Sequence, residues 1–297
     1  MNTLRTHAQS SFEKPWAYVI LTKPDVTFLV VITTVAGFYL ASPGRLDWAL
    51  LMHTLFGTTL VGAGTAAMNQ YVERDMDALM RRTAARPLPT GLLQPREVLV
   101  FGILTIVIGV VWLALAVNVL TSLLALATTV LYLGLYTPLK TRTTLATAVG
   151  AFPGAIPPLI GWAAARGSLS AGAWILFGIL FLWQFPHFMA IAWMYREDYA
   201  RAGIKMLPVV DPTGDATFAQ IVGTAAILVP MSLLPAVIGM AGIHYFFGAL
   251  VLGMILLQVS LWANRHRTNV RAKWLMHATV AHIPILLAWM IFDKVTR

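Results

Sequence analysis

The chain contains no cysteine, and only 11% of its 297 residues are charged. The absence of cysteine excludes disulfides and thiolate metal sites. Soluble domains carry about 25% charged residues, so a single water-soluble core is excluded as well. Hydrophobic residues instead make up 58% of the chain, which is typical of a protein that spans a membrane several times.

Formal charge is also missing from seven long runs of the sequence. A membrane-spanning helix needs about 20 predominantly apolar residues. The two longest runs, 98–139 and 216–264, therefore hold two helices each, with turns near Asn118 and near 240–244. Together with the five shorter runs they predict an all-α membrane protein with nine transmembrane helices. No linker is long enough to separate domains, so residues 1–297 are expected to form one bundle.

The positive charges lie mainly on one side of these predicted helices. With the N-terminus in the cytoplasm, 17 of the 21 lysines and arginines fall on the cytoplasmic side. This is the positive-inside asymmetry of membrane proteins, and it explains the net charge of +9 without a nucleic-acid partner. Two polar cytoplasmic loops, 73–97 and 196–215, hold most of the acidic residues, so we expect the chemistry there.

The first loop begins with an acidic helix face. Asn69, Glu73 and Asp77 are spaced four residues apart, so they lie along one face of a helix that leaves the membrane. Carboxylates one turn apart repel each other, and a divalent cation removes that repulsion. Oxygen-only ligands favour Mg²⁺ shared with substrate phosphates.

Asp75 points away and is expected to support the site indirectly or to pair with an arginine. The alternative is a solvated helix end of mixed charge.

Arginines follow this acidic face at positions 81, 82 and 86. Arginine is the preferred partner of phosphate oxygens, because its planar guanidinium can donate two parallel hydrogen bonds. An acidic metal-binding face beside such residues is what a diphosphate–Mg²⁺ complex requires. The sequence therefore predicts a diphosphate site at this loop.

Other charged residues are expected at the same site. In the second loop, Asp198 with Arg196 and Lys205 is predicted to face the acidic helix across the metal–diphosphate and so to form the opposite wall of a clamp. The alternative is an ordinary basic cytoplasmic loop. Lys23 and Lys140 each lie at the cytoplasmic end of an apolar run and are candidates for the diphosphate oxygens. For these two lysines the alternative is simple anchoring at the membrane surface.

One histidine lies inside a charge-free run. His187 follows Pro186, and a polar group within the bilayer is a functional candidate. Asp198 lies eleven residues further on, about three full rotations of a regular helix. We therefore expect His187 and Asp198 to share one helix face. The alternative for His187 is a hydrogen bond to a neighbouring helix.

Four sequence blocks carry a resemblance to a known family. They are T-K-P from Thr22, the loop 69–91 with R-T-A-A-R-P-L-P from Arg82, Y-T-P-L-K from Tyr136 with 150–162, and W-Q-F-P-H-F from Trp183 with D-Y-A-R-A-G-I-K-M-L-P-V from Asp198. These blocks resemble the UbiA-type intramembrane prenyltransferases and, within that superfamily, the haem O synthase (protohaem IX farnesyltransferase) family. The resemblance implies nine helices around a central cavity, in a bacterial cytoplasmic (inner) membrane.

The resemblance also implies an activity. A farnesyl group would pass from farnesyl diphosphate to a vinyl group of haem B, giving haem O for terminal oxidases, with Mg²⁺ as cofactor. It implies that Asn69, Glu73, Asp77 and Asp198 hold the metal–diphosphate, that Lys23, Arg81, Arg86, Tyr136, Lys140, Arg196 and Lys205 contact its oxygens, and that His187 serves the haem.

The chain departs from the superfamily pattern at three places. Glu73 stands where the motif usually has Asp, and Asp25 follows T-K-P where Arg is expected. The second acidic motif usually has a pair of aspartates four residues apart, whereas Met194 and Ala202 flank Asp198 at that spacing. The second wall of the clamp therefore has fewer carboxylates.

Three other functions compete with this interpretation. A quinone or chlorophyll prenyltransferase would share the acidic clamp, but the blocks around His187 and Asp198 favour haem. A transporter would carry charges near the bilayer midplane, whereas this chain gathers its charges at one membrane face. A haem-binding assembly factor without catalysis would leave the acidic loops without a purpose. A partner from an oxidase-assembly pathway is compatible with the sequence but is not identified by it.

Overall fold

A computed structural model describes residues 14–295. Within this range nine helices are long and apolar enough to cross a membrane, which confirms the predicted number. They are α1 (Pro24–Ala41), α2 (Trp48–Leu79), α3 (Pro95–Ala116), α4 (Val119–Leu139), α5 (Ala146–Arg166), α6 (Ala171–Met194), α7 (Asp215–Val237), α8 (Ile243–Arg265) and α9 (Asn269–Phe292). Arg5 and Arg297, which the charge pattern assigned to opposite sides, lie outside the described residues.

Both turns predicted inside the long charge-free runs are present. α3 and α4 meet at Asn118, whose Oδ1 accepts the backbone N–H of Thr121 at 2.9 Å and so caps α4. Its Nδ2 donates to the carbonyl of Ala163 at 2.9 Å, which ties the turn to α5. α7 and α8 are separated by 238–242. Charge-free length alone therefore located these helix boundaries.

α1 and α5 approach each other closely enough for their backbones to touch. Gly37 faces the carbonyl of Pro158, and Gly161 faces the carbonyl of Thr34, with no room for a Cβ atom at either glycine. Inside a bilayer the hydrophobic effect does not drive helices together, so close packing of small residues takes its place. The two glycines therefore hold α1 against α5.

At the end opposite the long loops, cationic side chains cap α1. Nζ of Lys294 donates to the carbonyls of Tyr39 and Ser42, each at 2.6 Å. Nε of Arg166 donates to the carbonyl of Ala41 at 2.6 Å. The last carbonyls of a helix lack intrahelical partners and carry partial negative charge, so cations there are favourable. The first, fifth and last transmembrane helices are joined at this end.

The helix that carries His187 does not continue into the second loop. α6 ends at Met194, Tyr195 has φ −108° and ψ 19°, and a separate six-residue helix follows at Arg196–Arg201. The prediction that His187 and Asp198 share one face of a regular helix was therefore wrong. Counting rotations requires helical dihedrals at every residue, and a single non-helical residue redirects the axis.

The α1–α5 crossing makes a testable prediction about stability. We expect Gly161→Ala to destabilise the protein by about 1–3 kcal/mol, because its methyl group meets the backbone of α1. Gly62→Ala in α2 is the matched control, since a Cβ there meets no atom within 4 Å. Removing that glycine is expected to be neutral or stabilising by about 0.5–1 kcal/mol. Thermal unfolding in detergent measures both, and equal effects would contradict the packing assigned here.

Candidate active site

The last third of α2 turns polar side chains into the bundle. Asn69, Glu73 and Asp77 are 1%, 6% and 1% exposed, and we call these three residues the acidic stripe. The side chain of Asp75 is 88% exposed, and its Oδ1 lies 3.8 Å from Nε of Arg74. The expected division of this helix into an inner and an outer face is therefore observed. Buried carboxylates are stable only beside positive partners.

Two ion pairs supply those partners. Nζ of Lys140 lies 2.5 Å from Oε1 of Glu73, and Nη1 of Arg86 lies 2.7 Å from Oδ2 of Asp77. Burial by itself lowers the pKa of Lys140, but the neighbouring Tyr136 and Glu73 more than offset burial. The pKa of Lys140 therefore lies above its ordinary value, and its side chain stays cationic. The pairs hold the loop 80–94 and the segment after α4 against α2.

Lys23 reaches the remaining member of the acidic stripe. Its Nζ donates to Oδ1 of Asn69 at 2.9 Å. The backbone of Lys23 is left-handed, with φ 46° and ψ 69°, a conformation that costs a residue with a Cβ about 1–2 kcal/mol. Pro24 disfavours the right-handed helical conformation at Lys23, and Gln70 supports the turn by donating to the carbonyl of Leu21 at 2.9 Å. This strained backbone conformation directs the side chain of Lys23 toward α2.

The charges around Lys23 change how it titrates. Burial is the largest cause, the cations Arg86 and Lys140 act in the same direction, and Glu73 and Asp77 act against them. Together they lower the pKa of Lys23 to about 7. Three basic side chains thus face two carboxylates. An additional anion at this point would stabilise the ammonium form of Lys23.

Aromatic rings lie on the membrane side of these charges. α4 is π-helical over Leu131–Tyr136, and such wide turns occur frequently at functional sites. The rings of Tyr132 and Tyr136 are 5.0 Å apart, and Nζ of Lys140 lies 4.4 Å from the centre of the Tyr136 ring. A side chain at Gly150 would strike the Tyr136 ring, so this glycine makes room for it.

The second loop packs over the end of α2. Met80 and Tyr199 belong to one apolar cluster, and Nη2 of Arg82 donates to the hydroxyl of Tyr199 at 3.4 Å. The backbone N–H of Lys205 donates to the carbonyl of Lys140 at 2.7 Å. The two loops therefore meet beside the acidic stripe, as the sequence predicted.

The predicted second wall of the clamp has other partners. Asp198 forms an ion pair with Arg201 in its own short helix. Nη1 of Arg196 donates to the carbonyl of Trp193 at 2.7 Å and to Oδ1 of Asn269 at 2.8 Å. Over residues 14–295, no three His, Asp or Glu side chains stand close enough to hold a metal ion together. The structure therefore does not bring Asp198 into one cluster with Glu73 and Asp77.

The residues predicted to bind diphosphate accordingly fall into two groups. Those in or beside the acidic stripe are Lys23, Arg86, Lys140 and Tyr136. Those that are exposed or engaged elsewhere are Arg81, Lys205 and Arg196. The first group converges from three separate segments of the chain, which makes it the better-defined candidate for an anion site.

The acidic stripe fits a magnesium ion. Oδ1 of Asp77 is buried and, among the described residues, has no hydrogen-bond partner. Such an orphaned acceptor costs about 1–3 kcal/mol. The amide oxygen of Asn69 and the carboxylates of Glu73 and Asp77 offer oxygen donors only. Mg²⁺ prefers one or two carboxylates together with phosphates and water, so the donor set suits this ion and an anion beside it.

His187 lies half-buried in α6 and contacts α9. Its Nδ1 is 2.8 Å from Oγ1 of Thr279. Its ring stacks on Trp183 with centroids 4.9 Å apart and planes at 13°. The indole Nε1 of Trp183 donates to the carbonyl of Thr279 at 2.8 Å. The interhelical hydrogen bond considered as an alternative is therefore present, and the role of His187 toward haem stays a prediction.

Sequence reasoning missed several residues around these sites. They are Gln70, Tyr132, Gln184 and Thr279. Gln184 lies inside the W-Q-F-P-H-F block, where its Nε2 donates to the carbonyl of Ala151 at 2.9 Å and fixes α6 to α5. The resemblance marked that block but left this glutamine without a role. No local pattern could have selected Thr279, because it lies 92 residues after His187, the residue to which it is hydrogen-bonded.

These features define a class of protein. Between residues 14 and 295, nine helices able to cross a membrane enclose, at the end that carries the long loops, a buried set of oxygen donors surrounded by cations. Oxygen donors suit a divalent metal and the surrounding cations suit a phosphate-type anion. The chain is therefore a multi-pass membrane protein with a buried cluster of oxygen donors and cations at one end of its helices.

The particular family follows from comparison with known sequences. The sequence profile of the UbiA prenyltransferase family matches residues 30–289. A relative from Solibacter usitatus named protoheme IX farnesyltransferase is 47% identical over 286 residues, covering 93% of this chain and 98% of the relative. One of the same name from Salinibacter ruber is 46% identical, covering 94% of this chain and 98% of the relative. The chain belongs to the UbiA prenyltransferase family.

Solved structures share the fold. A digeranylgeranylglyceryl phosphate synthase superposes with a TM-score of 0.79 at 17% identity, covering 95% of this chain and 98% of the other. A UbiA homologue from Archaeoglobus fulgidus bound to DMAPP and Mg²⁺ gives a TM-score of 0.64 at 14% identity, covering 92% and 98%. These likenesses confirm the predicted all-helical fold.

The Glu73–Lys140 pair makes a prediction that is independent of activity. Lys140→Met leaves Glu73 buried without its cation, so we expect a loss of about 3–5 kcal/mol of stability. Adding Glu73→Gln removes the stranded charge and should restore most of this loss. Lys14→Met, which breaks an exposed ion pair with Glu97, is the matched control and should cost at most about 1 kcal/mol. Chemical or thermal unfolding measures the cycle, and additive single effects would contradict the coupling.

Proposed function

We propose that this chain transfers the farnesyl group of farnesyl diphosphate to a vinyl group of haem B, forming haem O and releasing diphosphate with the help of Mg²⁺. The observation that carries the proposal is the buried acidic stripe of α2, in which each polar member contacts a basic side chain. Membership of the UbiA prenyltransferase family and the names of the relatives support the donor and the acceptor.

The metal would be held by the acidic stripe. Asn69, Glu73 and Asp77 present oxygen donors within two turns of one helix, and the orphaned Oδ1 of Asp77 provides one ready acceptor. Asp198 is the further ligand suggested by the resemblance. When bound there, Mg²⁺ supplies a Lewis acid that stabilises negative charge on phosphate oxygens. The homologue solved with DMAPP and Mg²⁺ supports a divalent ion in this family.

The diphosphate would be bound by the cations that now face the stripe. Lys140 and Arg86 neutralise Glu73 and Asp77, and Lys23 donates to Asn69. When the carboxylates turn to a metal, these ammonium and guanidinium groups become available to phosphate oxygens. Charge-assisted hydrogen bonds of this kind stabilise the negative charge that develops as the diphosphate leaves. Arg81, Arg196 and Lys205 could contribute only from the outer side of the loops.

The reaction itself needs a dry chamber. The bond between the farnesyl carbon and the diphosphate oxygen breaks, leaving an allylic cation and diphosphate. The vinyl group of haem supplies two electrons for the new carbon–carbon bond, which moves the positive charge to the carbon beside the macrocycle. Water adds there and releases a proton, giving the hydroxyethylfarnesyl side chain. The rings of Tyr132 and Tyr136 lie next to the charged cluster, and an aromatic face turned toward the farnesyl cation would stabilise it.

Orientation follows from the charges. By the positive-inside rule, the cytoplasmic end is the one that carries the acidic stripe and most lysines and arginines. The membrane would be the bacterial inner membrane. Farnesyl diphosphate would then reach the site from the cytoplasmic side with its chain in the bilayer.

The acidic stripe predicts which variants lose activity. Glu73→Gln and Asp77→Asn should each lower the rate by about 100-fold or more, the scale of losing one preorganised electrostatic contact. Asp75→Asn is the matched control, because its carboxylate lies on the same helix but faces outward, and it should retain activity. Purified protein is incubated with haem B, farnesyl diphosphate and Mg²⁺, and haem O is measured by mass. Wild-type rates in both buried variants would overturn the site assignment, and a product only with a quinone acceptor would overturn the choice of haem.

Removal of divalent cations gives a second, independent check. Chelation with EDTA should stop haem O formation, because the buried carboxylates and the leaving diphosphate would then lack their shared ion. Added Mg²⁺ should restore it, whereas Na⁺ at matched ionic strength should not. A rate unaffected by EDTA would show that the basic side chains suffice without a metal.

A further inference from the structure

The hydroxyl of Thr279 has a defined direction of hydrogen bonding. Its Oγ1 lies 2.6 Å from the carbonyl of Met276, and a carbonyl oxygen only accepts, so the hydroxyl donates its one hydrogen there. Oγ1 is also 2.8 Å from Nδ1 of His187. With its hydrogen already used, Oγ1 accepts in this second contact. Nδ1 of His187 therefore carries the proton, and Nε2 carries the lone pair.

The imidazole ring is also held in orientation. Trp183 stacks against one face with an interplanar angle of 13°, and its indole N–H donates to the carbonyl of the same Thr279. Thr279 of α9 therefore fixes the imidazole twice. Its hydroxyl holds the Nδ1 edge directly, and its carbonyl holds Trp183, which covers one face of the ring. Rotation of the ring would break the hydrogen bond and the stacking together.

The remaining nitrogen is accessible to a ligand. His187 is half-buried, and within residues 14–295 only its Nδ1 takes part in a hydrogen bond. His282 in α9 differs, because it is 3% exposed and so is closed to an incoming molecule. A histidine that donates one N–H to a protein oxygen and offers the other nitrogen is the usual arrangement of a metal-binding imidazole.

We propose that Thr279 is a positioning residue: it sets the tautomer and orientation of His187 so that Nε2 binds the iron of the porphyrin substrate. The inference rests on the proposed function, which makes haem the acceptor. Coordination of the iron by His187 would hold the macrocycle against α6 and α9 in a fixed orientation. The vinyl group would then be presented from a defined position rather than from a mobile haem.

The test separates the hydroxyl from the bulk of the side chain. Thr279→Val keeps the shape and removes the acceptor, whereas Thr279→Ser keeps the hydroxyl. Ferric haem B is titrated into each purified protein without farnesyl diphosphate, and the Soret band and electron paramagnetic resonance spectrum report the iron ligand. We expect Thr279→Val to weaken haem binding by about 10- to 100-fold, the range for partners of metal-ligating histidines. Its spectrum should lose histidine character, and Thr279→Ser should resemble the wild type.

A matched control excludes a general effect of losing a buried hydroxyl. Thr54 is 0% exposed, as Thr279 is, and its hydroxyl donates to the carbonyl of Leu50 at 2.7 Å. Thr54→Val should leave haem affinity and spectra unchanged. His187→Gly should lose the histidine signature, and free imidazole should return it, which confirms the ligand directly.

Two results would overturn the inference. One is an unchanged spectrum and affinity in Thr279→Val, and the other is an unchanged spectrum in His187→Gly. Neither depends on turnover. If wild-type protein binds haem through His187 yet forms no haem O with farnesyl diphosphate and Mg²⁺, the proposed function fails while the role of Thr279 stands.

Discussion

Glu73 and Asp77 are buried, and a buried carboxylate is stable only when a cation lies against it. That requirement organises the whole loop-bearing end of the molecule. Lys140 is brought from the end of α4, Arg86 from the loop after α2, and Lys23 from the start of α1. The same three side chains are suited to phosphate oxygens. Stability of the folded protein and the proposed affinity for a diphosphate therefore rest on one set of charges.

Strain and tight packing serve this arrangement. Lys23 adopts a left-handed backbone conformation, and such strain persists only where neighbouring structure over-determines it. Pro24 and Gln70 supply part of that restraint. At the other end of α1, Lys294 and Arg166 cap the last carbonyls, and Gly37, one turn earlier, packs against α5. α1 is thus fixed at both ends, which keeps the Lys23 ammonium beside Asn69.

A second, less charged region lies deeper in the bundle. Trp183, His187 and Thr279 form a small network between α6 and α9 that contains no formal charge. Apart from Nε2 of His187, its polar groups are hydrogen-bonded, which lowers the cost of placing them in an apolar surrounding. The two regions match the two substrates of the proposed reaction. A charged leaving group suits the cationic end, and an apolar macrocycle suits the interior.

Sequence reasoning reached much of this architecture. Charge-free length identified nine helices and the turn at Asn118, because the bilayer sets one span for every helix. A spacing of four residues placed Asn69, Glu73 and Asp77 on one face, because the α-helix has a constant pitch. Both are local rules, and they hold wherever the backbone stays regular. The constant-pitch rule failed between His187 and Asp198, where Tyr195 leaves the helical conformation.

Partners distant in the chain came only from the folded structure. The sequence placed Lys140 at the same site as Glu73 but did not predict their ion pair, and nothing near His187 indicates Thr279. Packing between helices brought each pair together. The placement of Asp198 beside Arg201 rather than the acidic stripe has the same origin, since it depends on how a short helix docks onto α2. Periodicity describes one helix at a time, whereas a binding site is formed by the relative positions of several.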